Sequence, residues 1–258
     1  MSTDELLFTR DGAVATVTFN RPEARNAATW EMYEGLHRAC EQVEADESIR
    51  VLVLRGAGGR AFVAGTDITQ FREFSGAADG LAYEERLDRI VGSLESVRVP
   101  TLAVVQGYAV GGGLSLAAAC DLRVCTPDAK FGVPIARTLG NCLSMRTCAR
   151  LVDLLGSART LHLIYTASFL TAGQALDAGF VSELLPAQDL DARVSELTAA
   201  LSRHAPLTMR ATKEAVRRLR EARIPDGDDL VAACYGSADF AEGVQAFVEK
   251  RDPQWTGR

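Results

Sequence analysis

The stretch that most constrains the fold runs from Pro100 to Ala117 and reads PTLAVVQGYAVGGGLSLA. Its first half is an apolar run that predicts a buried strand, and Gly107 then permits a turn. Three consecutive glycines, Gly111 to Gly113, precede an apolar segment that predicts a buried helix. Glycines at a helix N-terminus leave backbone N–H groups uncovered, where a phosphate, a carboxylate or a developing oxyanion can bind. Close packing of the helix is the alternative explanation of the same glycines.

Composition and charge place the chain among ordinary globular proteins. Its 258 residues, 47% hydrophobic and 24% charged, are sufficient for one large domain with a sizeable core. The net charge of −6 argues against a nucleic-acid partner. The basic cluster from Arg210 to Arg223 has helical spacing and predicts a solvated helix face, or a weak anion-facing edge, rather than a DNA-binding surface. No run reaches the ~18 apolar residues that a membrane span needs, so we expect no membrane association.

Cysteine usage and the N-terminal residues indicate a cytoplasmic protein. The six cysteines are scattered in mostly apolar surroundings without a CxxC pair, as is typical of reduced thiols. Residues Met1 to Glu5 are acidic and lack the basic-then-apolar pattern of a secretory leader. No His/Cys cluster has the spacing of metal ligands, so we also expect no metal.

Strand and helix signals alternate in the first half of the chain, and the second half is mainly helical. Strands are predicted at 6–10, 14–19, 51–55, 120–125 and 129–131, the first two joined by the hairpin signal Asp11-Gly12. Helices are predicted at 29–45, after an N-cap at Thr29, and at 83–97, after a small-residue stretch at 76–81 that resembles a mobile linker. Further helices are predicted at 144–155, 157–164, 172–178, 189–202, 206–223 and 237–250. This order favours an α/β domain with a C-terminal helical cap.

The last helices also carry apolar residues that indicate an oligomer. A helical end that cannot bury its whole apolar face alone needs a partner. The residues concerned are Leu230, Val231, Phe240, Val244 and Phe247.

Two glycine-bearing segments, each following a buried strand, carry a family resemblance. Ala61 to Ile68 (AFVAGTDI) and Gly107 to Gly113 (GYAVGGG) resemble the paired signature of the crotonase, or enoyl-CoA hydratase/isomerase, family. Each matching fragment is short, but the ordered set covers nearly the whole chain. The remaining fragments are Asn20–Pro22, Asn26-Ala27, Ala129–Pro134, Thr171–Ala175, Gly179–Val181 and Ala246–Arg251.

The resemblance implies a fold, an assembly and a substrate class. The fold would be α/β, a crotonase-like spiral of ββα units with a C-terminal helical region. Residues 1–198 would form the spiral core and residues 199–258 the helical trimerisation or cap region. Family members usually assemble as homotrimers or dimers of trimers and act on acyl-CoA thioesters. Coenzyme A would then arrive as part of the substrate, and no separate cofactor is expected.

By motif position, the resemblance also assigns binding residues. The backbone amides of Thr66 and Gly112 would stabilise an enolate-like oxyanion, and each such donor is typically worth about 10²–10³ in rate. The CoA portion would run along four further positions, namely the backbone near Ala24 and Ala64, and Phe247 and Lys250 of the C-terminal helix. Lys250 is equally compatible with a solvated cation at a helix end.

The sequence departs from the family at two positions that matter for proton transfer. Typical hydratases carry one glutamate three residues after the middle glycine and another directly after the Phe-Gly-X-Pro segment. These positions hold Ser115 and Ile135, and neither can act as a carboxylate base. Because a positioned acid–base group is worth about 10²–10⁴ in rate, we expect weak or absent hydration of crotonyl-CoA.

Substitutes for the glutamates must come from nearby residues. Ser115 can hydrogen-bond a substrate or water, or simply its own helix backbone. Arg137 suits an anionic group on the acyl chain, or a structural or intersubunit ion pair. Asn141 most resembles a helix cap, with a catalytic role as the alternative, and Cys142 resembles a small core residue. Asp67 lies beside the proposed oxyanion donor, where a structural role is expected.

Two functional hypotheses follow. The first is an enoyl-CoA hydratase/isomerase-like lyase or isomerase that acts at the α and β carbons of an acyl-CoA. The second is a catalytically impaired CoA-binding subunit of the same fold. A nucleophile-elbow hydrolase is not supported, because Gly113 to Ala117 lacks the second glycine of that motif.

Overall fold

The computed structural model of the chain describes residues 4–257. Met1 to Thr3 and Arg258 lie outside the described residues. The prediction that the chain starts without a secretory leader falls partly on them, as do the outer ends of the two predicted regions, 1–198 and 199–258. The strands are β1 (Leu6–Asp11), β2 (Val14–Phe19), β3 (Val51–Gly56), β4 (Ala61–Val63), β5 (Thr101–Val105), β6 (Tyr108–Val110), β7 (Leu122–Cys125), β8 (Lys130–Gly132), β9 (Phe169–Thr171) and β10 (Glu183–Leu184).

The α-helices are α1 (Trp30–Ala45), α2 (Ala77–Ser96), α3 (Gly112–Ala119), α4 (Ile135–Thr138), α5 (Met145–Leu155), α6 (Ser157–Tyr165), α7 (Ala172–Asp177), α8 (Ala187–Arg203), α9 (Pro206–Glu221), α10 (Asp228–Tyr235) and α11 (Ala238–Glu249). Short 3₁₀ helices span Pro22–Ala24 and Ile68–Phe71. The sequence missed α4 and α10 and placed the other helices to within a few residues, apart from the start of α2.

The strands form two sheets, and from β3 to β8 consecutive strands alternate between them. The larger sheet has the order β1-β2-β3-β5-β7-β10, and the smaller sheet has the order β4-β6-β8-β9. Pairing is parallel except for β1 with β2 and β8 with β9. The chain thus repeats one pattern three times: a strand in the larger sheet, a strand in the smaller sheet, and then a helix. The units β3-β4-α2, β5-β6-α3 and β7-β8-α4 are the successive turns of an α/β spiral.

Both faces of the larger sheet are buried, which explains the unbroken apolar runs of its strands. In β3, Leu52 and Leu54 face the main core, whereas Val51 and Val53 belong to a second cluster that also contains Leu190 of α8. Because side chains alternate along a strand, one apolar run supplies both clusters.

The predicted mobile linker at 76–81 is wrong, because most of it is the first turn of α2. Its small residues serve close packing rather than flexibility. A Cβ atom on Gly80 would lie 2.2 Å from the Cβ of Tyr235 on α10. The contacting residue, Tyr235, is more than 150 positions away in the sequence, so local sequence patterns do not indicate this contact.

The C-terminal region buries part of its apolar surface within the chain. Val231, Phe240 and Val244 are buried, whereas Leu230 and Phe247 are about half exposed. The predicted boundary between residues 198 and 199 falls inside α8, and the division into core and cap stays a prediction. In residues 4–257, no helix is both long and apolar enough to cross a bilayer.

Candidate active site

A cavity of about 450 Å³ lies at the carboxyl ends of β4, β6 and β8. The segment Ala64–Asp67 follows β4, Gly111 and Gly112 follow β6, and Pro134 and Ile135 follow β8. Helix α2 and Phe247 of α11 complete its wall. Loops at the carboxyl ends of parallel strands are the usual ligand site of α/β folds. We call this space the first cavity.

Thr66 presents its backbone amide without a protein acceptor. Beside it, the Ala28 N–H donates to the Gly65 carbonyl at 2.8 Å, and the Asp67 N–H donates to the Ala28 carbonyl at 2.9 Å. In such a parallel bridge the N–H of the residue between, Thr66, points away from Ala28. Among residues 4–257, no acceptor lies within hydrogen-bond reach of that amide. It is therefore available to a ligand in the first cavity.

Gly112 is the first residue of α3, where backbone N–H groups have no intrahelical acceptor. The described part of the chain supplies no other acceptor for its amide. A Cβ atom on Gly112 would lie 2.2 Å from Tyr33 Oη, and one on Gly113 would lie 1.9 Å from the Val63 carbonyl oxygen. The same glycines therefore permit close packing and leave the Gly112 amide without a protein acceptor, and anion binding at that amide stays a prediction.

Three hydroxyl groups meet behind these amides. Tyr33 Oη and Tyr83 Oη each lie 2.9 Å from Thr66 Oγ1. Burial raises the pKa of Tyr33 to about 12 and raises the pKa of Tyr83 well above its usual value, so both remain protonated at neutral pH. Three O–H donors sharing two hydrogen bonds leave one donor for a ligand or a water molecule.

Glu84 of α2 is a buried carboxyl group on the wall of the first cavity, with only 6% of its surface exposed. The Tyr235 hydroxyl donates to Oε1 at 2.7 Å, and the Ser144 backbone N–H donates to Oε2 at 3.2 Å. Burial, together with the nearby charge of Asp88, raises the pKa of Glu84 from 4.5 to about 7, although the two hydrogen bonds oppose the shift.

Asn141 also lines the first cavity, and its predicted role as a helix cap is wrong. The N-cap of α5 is Ser144, whose side chain accepts from the Thr147 N–H. Asn141 Nδ2 instead donates to the Tyr235 hydroxyl at 3.1 Å. Its Oδ1 atom is buried without a hydrogen-bond partner among the described residues. A buried unpaired acceptor is costly, which makes it a candidate for a ligand or water contact.

The two positions that hold glutamates in typical hydratases lie on the wall of the same cavity. Ser115 is 3% exposed and Ile135 is 8% exposed, and neither brings a carboxylate. Ser115 Oγ is 3.4 Å from the Gly111 carbonyl, so its hydroxyl donates to its own helix backbone. Cys142 lies outside the cavity wall and donates its thiol to the Leu230 carbonyl, and burial raises the pKa of that thiol.

Asp67 has the structural contacts expected of it. Its carboxylate accepts from the Thr69 side chain and backbone and pairs with Arg21 at 3.1 Å. Partial burial alone would raise the pKa of Asp67, but the hydrogen bonds from Thr69 and the Arg21 charge outweigh it and lower the pKa.

The residues assigned to the CoA portion are divided between the cavity and the surface. Ala24, Ala64 and Phe247 line the first cavity. Lys250 ends α11 in the left-handed conformation and is exposed, outside the cavity wall. Arg137 of α4 is likewise exposed and does not line the cavity. The roles of Lys250 and Arg137 stay predictions.

Glu84 and the tyrosines around it were missed from the sequence. The sequence does hold a signal for Glu84. The buried positions of α2 follow a helical stripe (Gly80, Tyr83, Glu84, Leu87, Ile90, Val91 and Leu94), and the glutamate occupies a place where that stripe is otherwise apolar or aromatic. A charged residue inside an apolar stripe indicates a buried, partnered or functional group.

Comparison with known proteins identifies the family of this chain. The profile of the enoyl-CoA hydratase/isomerase family matches residues 9–258. A probable enoyl-CoA hydratase of Mycobacterium bovis is 34% identical over 262 residues, covering 100% of both chains. The 2,3-dehydroadipyl-CoA hydratase of Escherichia coli is 32% identical, covering 98% of this chain and 99% of the relative.

A solved structure of methylmalonyl-CoA decarboxylase with 2S-carboxypropyl CoA superposes with a TM-score of 0.90 at 27% identity, covering 100% of both chains. The spiral of ββα units is therefore the crotonase fold. The chain belongs to the enoyl-CoA hydratase/isomerase, or crotonase, family.

Proposed function

We propose that this protein binds an acyl-CoA thioester in the first cavity and polarises its carbonyl with the amides of Thr66 and Gly112. The observation that carries the proposal is the pair of unpartnered amides on one cavity wall. Preorganised donors of this kind stabilise charge where it develops on the thioester oxygen, and each is worth about 10²–10³ in rate. The Gly112 amide adds the favourable field of a helix N-terminus.

The reaction follows from that polarisation. Electron withdrawal through the carbonyl acidifies the α carbon and makes the β carbon of an enoyl group electrophilic, so the protein acts as a lyase or isomerase at these atoms. Coenzyme A enters as part of the substrate, with its chain along Ala24 and Ala64 and its nucleotide end towards Phe247. The acyl end then reaches Ser115 and Ile135 in the interior.

Ordinary hydration is not the reaction we propose. Neither Ser115 nor Ile135 brings a carboxyl group, and Ser115 is occupied by the backbone of its own helix. We expect crotonyl-CoA to bind and its hydration to be weak, measured as slow loss of the enoyl absorbance. The alternative is a CoA-binding subunit without turnover, which would bind acyl-CoA and leave every thioester unchanged.

We further infer that the protein is a homotrimer or a dimer of trimers in the cytoplasm. Helix α9 exposes Leu207, Val216 and Leu219, which a partner subunit would cover. The mass in solution, by light scattering, tests this assembly.

The amides are tested with Gly112→Ala. Its added methyl would fall 2.2 Å from Tyr33 Oη and must displace the N-terminus of α3 or that ring. The control is Gly173→Ala, also near the start of a helix, where a Cβ meets no atom within 4 Å. Exchange of α hydrogens of butyryl-CoA in D₂O, followed by mass spectrometry, should fall by about 10² or more in Gly112→Ala only.

Two results would contradict the proposal. One is a wild-type protein that binds none of acetyl-, butyryl-, crotonyl- and methylmalonyl-CoA by calorimetry. The other is a folded Gly112→Ala protein that exchanges at the wild-type rate.

A further inference from the structure

Glu84 stands between two cavities. A second cavity of about 670 Å³ lies on the other side of α2 and is lined by Asp88, Ser144, Arg146 and Asp228, among others. Of the residues that line either space in the described chain, Glu84 is the one they share. A carboxyl group so placed faces the proposed acyl site on one side and a route to solvent on the other.

The carboxyl group is held in place from several elements. Tyr235 of α10 donates to Oε1, and the Ser144 N–H before α5 donates to Oε2. Tyr235 in turn accepts from Asn141 Nδ2, which leaves Asn141 Oδ1 unpaired beside the first cavity. Within residues 4–257 no cation is bonded to Glu84, so neither an ion pair nor a full set of hydrogen bonds explains its burial.

We propose that Glu84, reaching from α2, is the acid–base group of this site and carries the proton to and from the acyl chain. This inference rests on the proposed function, because it requires a thioester held by the Thr66 and Gly112 amides. It assigns proton transfer to a helix that differs from those of Ser115 and Ile135. Tyr235 and Asn141 are positioning residues, and the free Oδ1 of Asn141 accepts a hydrogen bond from a substrate hydroxyl or a water molecule.

The proton-transfer step is balanced without a further reactant. The Glu84 carboxylate takes a proton from the α carbon, so a C–H bond breaks and an O–H bond forms. The C–H electron pair becomes the new carbon–carbon double bond of the enolate, and the carbonyl π pair moves onto the thioester oxygen, where the two amides stabilise it. Return of the proton to the α carbon restores the substrate. When the substrate is a 3-enoyl thioester, the enolate is conjugated with the β,γ double bond, and return of the proton to the γ carbon gives the 2-enoyl isomer.

The other ionisable groups near the first cavity are less suited to this step. Tyr33 and Tyr83 have raised pKa values and hold their protons at neutral pH. Asp67 is engaged by Arg21 and Thr69. Burial instead brings the pKa of Glu84 to about 7, where both of its protonation states are populated at neutral pH.

Solvent protons reach Glu84 through the second cavity. The Ser144 hydroxyl donates to Asp88 Oδ1 at 2.8 Å, and the Ser144 N–H donates to Glu84 Oε2, so both carboxyl groups are hydrogen-bonded to the same residue. The titratable groups that interact electrostatically with Glu84 are Asp88 and Tyr83 on its own helix, Tyr33 on α1, Tyr235 on α10, Cys142 before α5 and Cys148 on α5. Of these, Asp88 is the other carboxyl group, and burial raises its pKa. Glu85 of α2, Arg146 of α5 and Asp228 of α10 line the second cavity together with Glu84.

The test is hydrogen exchange at the α carbon of butyryl-CoA in D₂O, measured by mass spectrometry, with calorimetric binding of butyryl-CoA as a separate readout. Glu84→Gln keeps the size of the side chain and removes the ionisable group. We expect its exchange rate to fall by about 10²–10⁴ while its dissociation constant changes by less than about threefold. Glu31→Gln is the matched control, since Glu31 is an exposed glutamate on α1 and lines neither the first nor the second cavity.

The outcomes separate this inference from the proposed function. Exchange at the wild-type rate in a folded Glu84→Gln protein overturns the role of Glu84 and leaves the thioester site intact. Binding without exchange in the wild-type protein also overturns it and favours a CoA-binding subunit. Absence of binding in the wild-type protein overturns the proposed function itself.

A second variant keeps the inference testable if Glu84→Gln does not fold. The charge of Asp88 raises the pKa of Glu84, in addition to the larger effect of burial. Asp88→Asn should therefore move the midpoint of the exchange pH profile to lower pH. An unmoved midpoint contradicts the inference, because a purely structural Glu84 would leave the profile independent of Asp88.

Discussion

The stability of this protein should depend on pH through Glu84, and Glu84→Gln should remove that dependence. Burial raises the pKa of this carboxyl group from 4.5 to about 7, so the folded protein binds the proton more tightly than the unfolded chain does. The resulting stabilisation is fully present below the unfolded pKa and is lost as the pH rises through the folded pKa. At pH 8 the wild-type protein therefore carries an ionised, buried carboxylate, which lowers its free energy of unfolding.

The size of the effect follows from the shift. One pKa unit corresponds to about 1.4 kcal/mol, so moving from 4.5 to about 7 corresponds to about 3.5 kcal/mol over the full range. About 2.5 kcal/mol of this falls between pH 5 and pH 8. The Glu84→Gln protein would lack this contribution, since a side-chain amide does not titrate.

The assay is urea unfolding of wild type and Glu84→Gln at pH 5 and pH 8, at one protein concentration. The variant loses the hydrogen bonds of the carboxylate at both pH values, so their cost largely cancels when the two stability differences are subtracted. We expect the free energy of unfolding of the variant, relative to that of the wild type, to rise by about 2.5 kcal/mol between pH 5 and pH 8. Glu85→Gln, exposed on the same helix, should track the wild type.

A stability difference that stays constant from pH 5 to pH 8 would refute this reasoning. It would mean that the buried carboxyl group ionises in the folded protein as readily as in water. The proposed acid–base role would then lose the feature that makes Glu84 suitable at neutral pH.

Two further predictions concern the hydrogen bonds and the thiols. Tyr235→Phe removes the hydroxyl that donates to Glu84 and holds its pKa down against the larger effect of burial, so the midpoint of the exchange pH profile should move up. A Tyr235 that only fills space would change the amplitude of the profile and leave its midpoint in place. Burial raises the pKa values of Cys40, Cys120 and Cys125 to about 12, so native protein at pH 8 should resist iodoacetamide at these three positions. Peptide mass spectrometry checks this against urea-unfolded protein, and rapid labelling of the native chain would contradict it.

The sequence predicted the backbone part of the site because that part depends on local signals. Strand runs around Val51 and Leu102 and the glycines at 111–113 dictate where the chain can turn and where α3 can approach β4. A side chain at Gly113 would overlap the Val63 carbonyl, so few residue types satisfy this geometry. Because such a constraint restricts the residue types at fixed positions, the resulting motif can be recognised in a single sequence.

The side-chain part of the site was less predictable because it depends on contacts across the fold. Glu84, followed by Glu85 and Arg86, reads as a solvated helix start, and only its place in the apolar stripe of α2 indicates burial. Its partner Tyr235 lies on a helix that the sequence did not predict. The role of Asn141 likewise depends on Tyr235, so neither residue could be placed before α2 and α10 were packed together.

In the mechanism we propose, the different physical demands on amides and acid–base groups explain why the site can keep the amides and relocate the acid–base group. Two amides must converge on one oxygen atom, and this requires a particular backbone path after both β4 and β6. A carboxyl group needs only to reach a carbon atom that those amides have already positioned. Helices α2, α3 and α4 all border the first cavity, so any of them can supply it. The positions on α3 and α4 hold Ser115 and Ile135, which have no carboxyl group. The remaining helix of the three is α2, which contributes the carboxyl group of Glu84 to the cavity wall.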